Sequence, residues 1–238
     1  MTTQNDVLDF VQTRRSSKLL KAIRNIRYRN RPIKSIFTKL YFEPRRDQEM
    51  ISGPGSDLIQ TSVISREIPA IISELGIQTM LDAPCGDFFW MRHVELNVKT
   101  YIGIDIVREL IERHTRNHAN AHRRFMCRDI TKDQLPCVDM IFSRDALVHL
   151  SHRDCLAALE RFKASGSQYL LMTTFPNVRE NEDILTGEWR PINFERAPFH
   201  LPPPLKLINE ACTEDGGRYA DKSLGLWKLA DILNTDGQ

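Results

Sequence analysis

Three aspartates recur through the middle of the chain at almost even spacing: Asp82, Asp105 and Asp129, 23 and 24 positions apart. Asp82 and Asp105 each end an apolar run, and Asp129 directly follows another. An ionised carboxylate only accepts hydrogen bonds, so at a strand tip it suits sugar hydroxyls or an amino group. Strand ends also carry Asp for ordinary turn chemistry; it is the repetition at three successive ends that points to a shared ligand. Between the first two lies a tight turn around Gly86 in LDAPCGDFFWMRHV. Farther on, Asp145 and His149 stand four apart in SRDALVHLS. His149, whose reference pKa is near neutral, is the better proton acceptor of the two. Asp145 is placed to orient it, contact a cofactor or touch substrate. The plain alternative is that Asp145 caps a helix and His149 packs.

The elements needed to hold these groups follow from hydrophobic periodicity. Strands are predicted at 79–83, 100–105, 124–128, 138–143 and 169–174, with helices at 57–75, 88–95, 108–117 and 153–163. Strands alternating with helices imply a parallel sheet covered on both faces. In such a sheet, ligands lie beyond the carboxyl ends of the strands, where the three aspartates fall. Two further strands, 205–211 and 224–229, are joined by the turn-rich 213–221 and read as an antiparallel pair at the sheet edge. The stretch 176–204 holds six prolines with Trp189, Phe194 and Phe199, and reads as a packed lid or substrate wall.

The chain has 238 residues, which suits one domain with an extension. We read residues 1–50 as a basic helical extension and 51–238 as the main domain, with 176–204 as its substrate loop. The formal net charge is only +2, yet twelve Lys/Arg stand against one acid, Glu43, between Arg14 and Arg46. Apolar residues there recur at helical spacing (Leu19, Ile23, Ile26, then Ile33, Ile36, Phe37, Leu40), divided by Pro32. Two readings stand: amphipathic helices covering the core, or a surface for an anionic partner such as a phosphorylated carrier. Gly53, Gly55 and Gln60 belong to a connector that either folds over a ligand or simply links the parts. Five scattered cysteines show no C-x-x-C spacing and read as reduced thiols. No leader pattern or long apolar run is evident, so a cytoplasmic location and no transmembrane segment are expected. No metal-ligand cluster stands out.

Residues 81–174, and more loosely the tail LPPPLKLINE, resemble a class I S-adenosylmethionine (SAM) dependent methyltransferase. LDAPCGDFFWMRHV, RDALVHLS and TTFP are similar to a bacterial subgroup of that family. The resemblance implies a Rossmann-like, doubly wound, seven-stranded α/β sheet, mostly parallel with an antiparallel edge pair. It also implies that Asp82, Pro84 and Gly86 line the methionine and ribose side. Asp105, with Ile106 beside it, would accept the ribose hydroxyls. Asp129 would accept the adenine amino group, with Ile130 near the ring, and Ser143 and Arg144 would close the methionine end. The family's first loop has three glycines, where this chain has Pro84, Gly86 and Phe88; Phe88 is expected to fill space that is usually open. There is no G-x-G-x-x-G and no Walker sequence, which argues against dinucleotide and nucleoside-triphosphate enzymes.

The expected activity is methyl transfer to a hydroxyl of a small molecule or glycan, with His149 and Asp145 as catalytic groups. Asp87, Trp90, Trp189 and His200 are the candidate substrate contacts, with Glu210 a further edge residue. Two alternatives compete. One is a SAM-binding module that has lost catalysis, motivated by the substituted glycines; the other is action on nucleic acid through the basic N-terminus. The latter is disfavoured, because SRDA stands where amino-group methyltransferases of nucleobases carry [DN]-P-P-[YFW].

Overall fold

The computed structural model describes residues 31–42 and 52–232. The first predicted helical stripe (Leu19, Ile23, Ile26) and most of the basic run lie outside them. The second stripe forms helix α1, Ile33–Phe42, which starts directly after Pro32. That order suits proline, whose missing N–H and fixed φ are tolerated at a helix start.

Helix α2, Ser62–Leu75, buries Ile64, Ile68, Ile71 and Ile72 along one side and ends at Gly76 in the left-handed region. It begins five residues later than the periodicity suggests. Asp57 accepts the backbone N–H groups of Ile59 and Gln60, at 2.8 and 2.7 Å, which holds this approach as turns.

Strands β1 (Thr79–Asp82), β2 (Thr100–Asp105), β3 (Arg123–Cys127), β4 (Met140–Ser143) and β5 (Tyr169–Thr174) follow. Helices α3 (Arg108–His118) and α4 (His152–Ala164) connect them. Ser151 caps α4, its side chain accepting the Asp154 N–H. The tail supplies β6 (Lys206–Asn209) and β7 (Ser223–Lys228). The seven strands lie in the order β3-β2-β1-β4-β5-β7-β6. β1 to β5 pair in parallel; β7 runs antiparallel to both β5 and β6. The predicted doubly wound sheet with an antiparallel edge is therefore the observed one.

Two apolar layers cover the sheet. One packs Leu81, Ile104, Ile141 and Leu170 against Ala158, Leu159 and Phe162 of α4. The other packs Met80, Met140 and Leu171 against the α2 isoleucines. Adjacent residues on β1, Met80 and Leu81, thus serve opposite layers, as the two-residue period of a strand requires.

The helix expected at 88–95 does not form; only a single turn, Met91–His93, is helical. Phe88 adopts φ 59°, a left-handed conformation that breaks the chain before a helix can nucleate. The 3–4 spacing of Phe88, Met91 and Val94 reflects packing of an irregular connection, all three being buried.

Candidate active site

β1, β2 and the segment after β3 deliver Asp82, Asp105 and Asp129 to a single cavity of about 960 Å³ at the carboxyl edge of the sheet. Pro84, Gly86, Ile106 and Ile130 share its wall. Gly86 has φ +54° and its backbone passes close under the N-terminal segment. A Cβ built there would lie 2.8 Å from the Ser52 hydroxyl and 3.2 Å from that of Tyr41. Only glycine leaves this cradle open.

Each carboxylate has a distinct setting. Asp105 accepts the N–H groups of Val107 (2.8 Å) and Gly86 (3.2 Å), one per oxygen. Burial nevertheless raises its pKa to about 6. Asp82 is buried under the Tyr101 hydroxyl, which donates to it, and burial raises it further, to about 7. Asp129 is less enclosed and stiffens its own turn, accepting the backbone N–H and the hydroxyl of Thr131. Two neighbouring acids with raised pKa values in one cleft are a recognised mark of a functional site.

Phe88 does not plug this cleft. Its ring turns away into a cluster with Tyr101, His114, His118 and Phe125, at centroid distances of 5.2 to 5.8 Å. The left-handed backbone that breaks the expected helix also aims the ring away from the ligand side. The expectation that Phe88 fills open space therefore fails for a geometric reason.

The far half of the cavity is built after β4. Arg144 lies on the wall, but its guanidinium is committed. It donates twice to Glu210 (2.7 and 3.1 Å) and once to the Gly55 carbonyl (2.8 Å), with Trp90 beneath it at 5.6 Å. Asp145 has φ 51° and accepts from Lys222 at 2.6 Å. The adjacent Arg144 and Lys222 hold its carboxyl below the ordinary range despite burial. It caps no helix.

His149 ends a helical turn, Leu147–His149, and lines the cavity. Its Nδ1 is 2.9 Å from the Glu188 carbonyl, which can only accept, so Nδ1 carries the proton and Nε2 keeps a lone pair. Burial lowers its pKa, so the ring is neutral at pH 7. The 176–204 loop fixes this turn. Gly187 donates to the His149 carbonyl, Arg190 N–H to that of Val148, and the Arg190 guanidinium to those of Leu147 and Leu150. The loop also buries Ile192, Phe194, Phe199 and Leu201, as a packed wall should.

Of the predicted substrate contacts, Asp87, Trp90 and Trp189 line the cavity. Asp87 is occupied in part by the backbone N–H groups of Ser52 and Phe89. Trp189 packs edge-on against Tyr219 with centroids 4.7 Å apart. His200 is not on the wall; it sits exposed in a left-handed turn of the loop. Ser143 is also absent from the wall, its side chain buried beneath with the hydroxyl unpartnered. Both faces of β4 are buried, Ile141 in one layer and Met140 and Phe142 in the other, so a residue count alone does not reveal that Ser143 stays beneath the wall.

Sequence reasoning missed Tyr41, Ser52, Tyr219 and Lys222, all of which line the cavity. A signal existed for Tyr41: it continues the stripe Ile33, Phe37, Leu40, so that stripe faces the cavity while Ile36 packs inward. Lys222 gave none, since a lone lysine in a turn-rich segment looks solvated.

The donor set suits an adenosyl ligand: carboxylates for ribose hydroxyls and an amino group, isoleucines flanking a flat ring, and a side-chain-free approach at Gly86. Residues 81–171 match the family profile described as a methyltransferase domain. No curated protein matches the chain in sequence. Among solved structures, the chain is similar to the Burkholderia thailandensis 1,6-didemethyltoxoflavin-N1-methyltransferase with 1,6-didemethyltoxoflavin and S-adenosylhomocysteine bound. The TM-score is 0.54 at 15% identity, over 82% of this chain and 86% of that one. It is also similar to the methyltransferase domain of bacterial CtHen1 (0.53, 11%, 71% and 98%) and to the N-methyltransferase NodS of Bradyrhizobium japonicum WM9 (0.51, 12%, 73% and 98%). These likenesses speak for the fold, and the matched profile identifies residues 81–171 as a class I S-adenosylmethionine-dependent methyltransferase domain.

Proposed function

We propose that this enzyme methylates a hydroxyl of a small molecule or glycan, with His149 as general base. Asp82, Gly86, Asp105, Ile106, Asp129 and Ile130 would hold SAM, which supplies a methyl group on a positively charged sulfur. The observation that carries the reading is the state of His149. It is neutral, held by a carbonyl at Nδ1, and set in the cavity wall beyond the carboxylates. A base of this kind takes the proton of a poorly acidic hydroxyl, a contribution of roughly a hundredfold or more.

Asp145 orients rather than reacts in this scheme. Its ion pair with Lys222 makes it a weak base and places negative charge near the imidazole, which favours the imidazolium that forms as a proton arrives. The flat faces of Trp189 and Tyr219 suit the apolar face of a ring. Among the described residues, the cations at this end of the cavity, Arg144, Lys222 and Arg190, are engaged by carboxylates or carbonyls. The wall thus favours an acceptor without an anionic group at this end, and a phosphorylated carrier would have to keep its phosphate outside.

The experiment is methyl transfer from labelled SAM to a panel of sugars, phenols and amines. Turnover with a hydroxyl acceptor, lost in His149→Ala while the demethylated cofactor still binds, is the expected result. Transfer to amines alone, or full activity in His149→Ala, would overturn the reading.

A further inference from the structure

Helix α1 and the segment from Ser52 are tied to the site at two points. Ser52 and Asp87 bond reciprocally: Ser52 N–H donates to the Asp87 carboxylate at 2.8 Å, and the Ser52 hydroxyl accepts the Asp87 N–H at 3.1 Å. At the other end, Ile36 packs on Gly187 of the substrate loop, where a Cβ would come within 2.5 Å of the isoleucine methyl. Between these anchors the Tyr41 hydroxyl lies over Gly86, within reach of the Ser52 side chain and beside the Asp105 and Asp87 carboxylates.

We infer that Tyr41 is a cofactor-binding residue that, with Asp105, recognises a ribose hydroxyl, the α1 segment being the roof of the adenosyl site. Asp105 only accepts, whereas a phenol both donates and accepts, so a sugar hydroxyl can bridge the two by donating to the carboxylate and accepting from the phenol. An ether or a carboxylate, which cannot donate, does not fit between them. Burial and the Asp105 charge keep the Tyr41 phenol protonated, so it remains a donor across the working pH range. This rests on the assignment of SAM to the cavity and extends it to a residue outside the matched domain.

The test is calorimetric binding of S-adenosylhomocysteine and its 2′-deoxy and 3′-deoxy forms to the full-length protein and to Tyr41→Phe. Phenylalanine keeps the ring and removes one oxygen, so the ligand-free melting temperature should fall only by the loss of the hydrogen bond with Ser52, a few degrees at most. The parent ligand is expected to bind about tenfold more weakly to the variant, equivalent to one good hydrogen bond at about 1.4 kcal/mol. One of the deoxy ligands should lose less than threefold, because its lost hydroxyl was Tyr41's partner. Ser52→Ala, which removes the hydroxyl half of the tie between the roof and the Gly86 turn, should weaken the parent ligand as well. Equal affinities across Tyr41→Phe and wild type for all three ligands would overturn the inference. If the wild type binds none of them, the cofactor assignment fails instead.

Discussion

At the scale of single residues, the acid–base behaviour of the site is set by what each group is denied. His149 is largely withdrawn from water and given a carbonyl at Nδ1, which leaves Nε2 as its one basic nitrogen. Because burial lowers its pKa from the usual value, the neutral, competent form persists below pH 6.5. Turnover should therefore be flat from pH 7 upward and fall only on the acid side, as the ring protonates. A pH–rate profile of kcat that climbs steeply between pH 7 and 9 would contradict this. Asp82 shows the converse. The folded chain holds its proton with a pKa of about 7 against 3.8 for the free side chain. Folded protein thus binds more protons than unfolded protein across that window, and stability falls as pH rises through it. Asn at this position still accepts from Tyr101 but carries no charge. Asp82→Asn should gain stability over wild type as pH rises, the gap widening by about 2–3 kcal/mol between pH 5 and pH 8.5. Urea denaturation at the two pH values measures it, and the same variant should bind SAM poorly.

At the scale of elements, the parallel strands were legible because β1, β2, β4 and β5 are buried on both faces and each strand is closed by an acid or turn, a pattern that tolerates little else. Asp82, Asp105 and Asp129 could be located for the same reason, since strand ends fix their position to within a residue. The segment 88–95 was not legible. Its apolar spacing imitates a helix, whereas the decisive fact is one backbone angle at Phe88. Nor could sequence show that β4 and β6, 63 residues apart from Ser143 to Lys206, are joined by a buried ion pair just beyond their ends. Arg144 and Glu210 are both almost wholly inaccessible, with side chains 4% and 1% exposed. Removing Glu210 leaves the buried guanidinium only the more distant Asp145 carboxylate, at 3.4 Å, as a charged partner. Glu210→Gln should cost about 3 kcal/mol of folding stability, and the loss should persist in high salt because the pair is shielded from ions. The double variant Arg144→Met, Glu210→Leu should be less destabilised than the sum of the single changes, since no charge is left unpaired. Additive losses in denaturant unfolding would show that the pair is not a coupled unit.

At the scale of the whole molecule, the cavity joins parts of the chain that no local pattern connects. Its walls come from α1, the Gly86 turn, three strand ends, the proline-rich loop and the turn before β7. Two buried carboxylates with raised pKa values and a segment resting on a glycine turn meet at this one cavity. A ligand that binds only this folded arrangement stabilises it by mass action, about 2.7 kcal/mol at a hundredfold excess over Kd. For a domain of this size each kcal/mol raises the melting temperature by about 2–4 °C. S-adenosylhomocysteine at that excess should therefore raise it by about 5–10 °C. The gain should shrink below pH 6, where Asp105 begins to protonate and can no longer accept from two hydroxyls at once. Adenosine alone should give a smaller rise, because it reaches the strand-tip carboxylates but not the methionine end near Arg144. A melting temperature indifferent to S-adenosylhomocysteine at pH 7.5 would mean that the carboxylates converge on no adenosyl ligand, and the site assignment would fall with it.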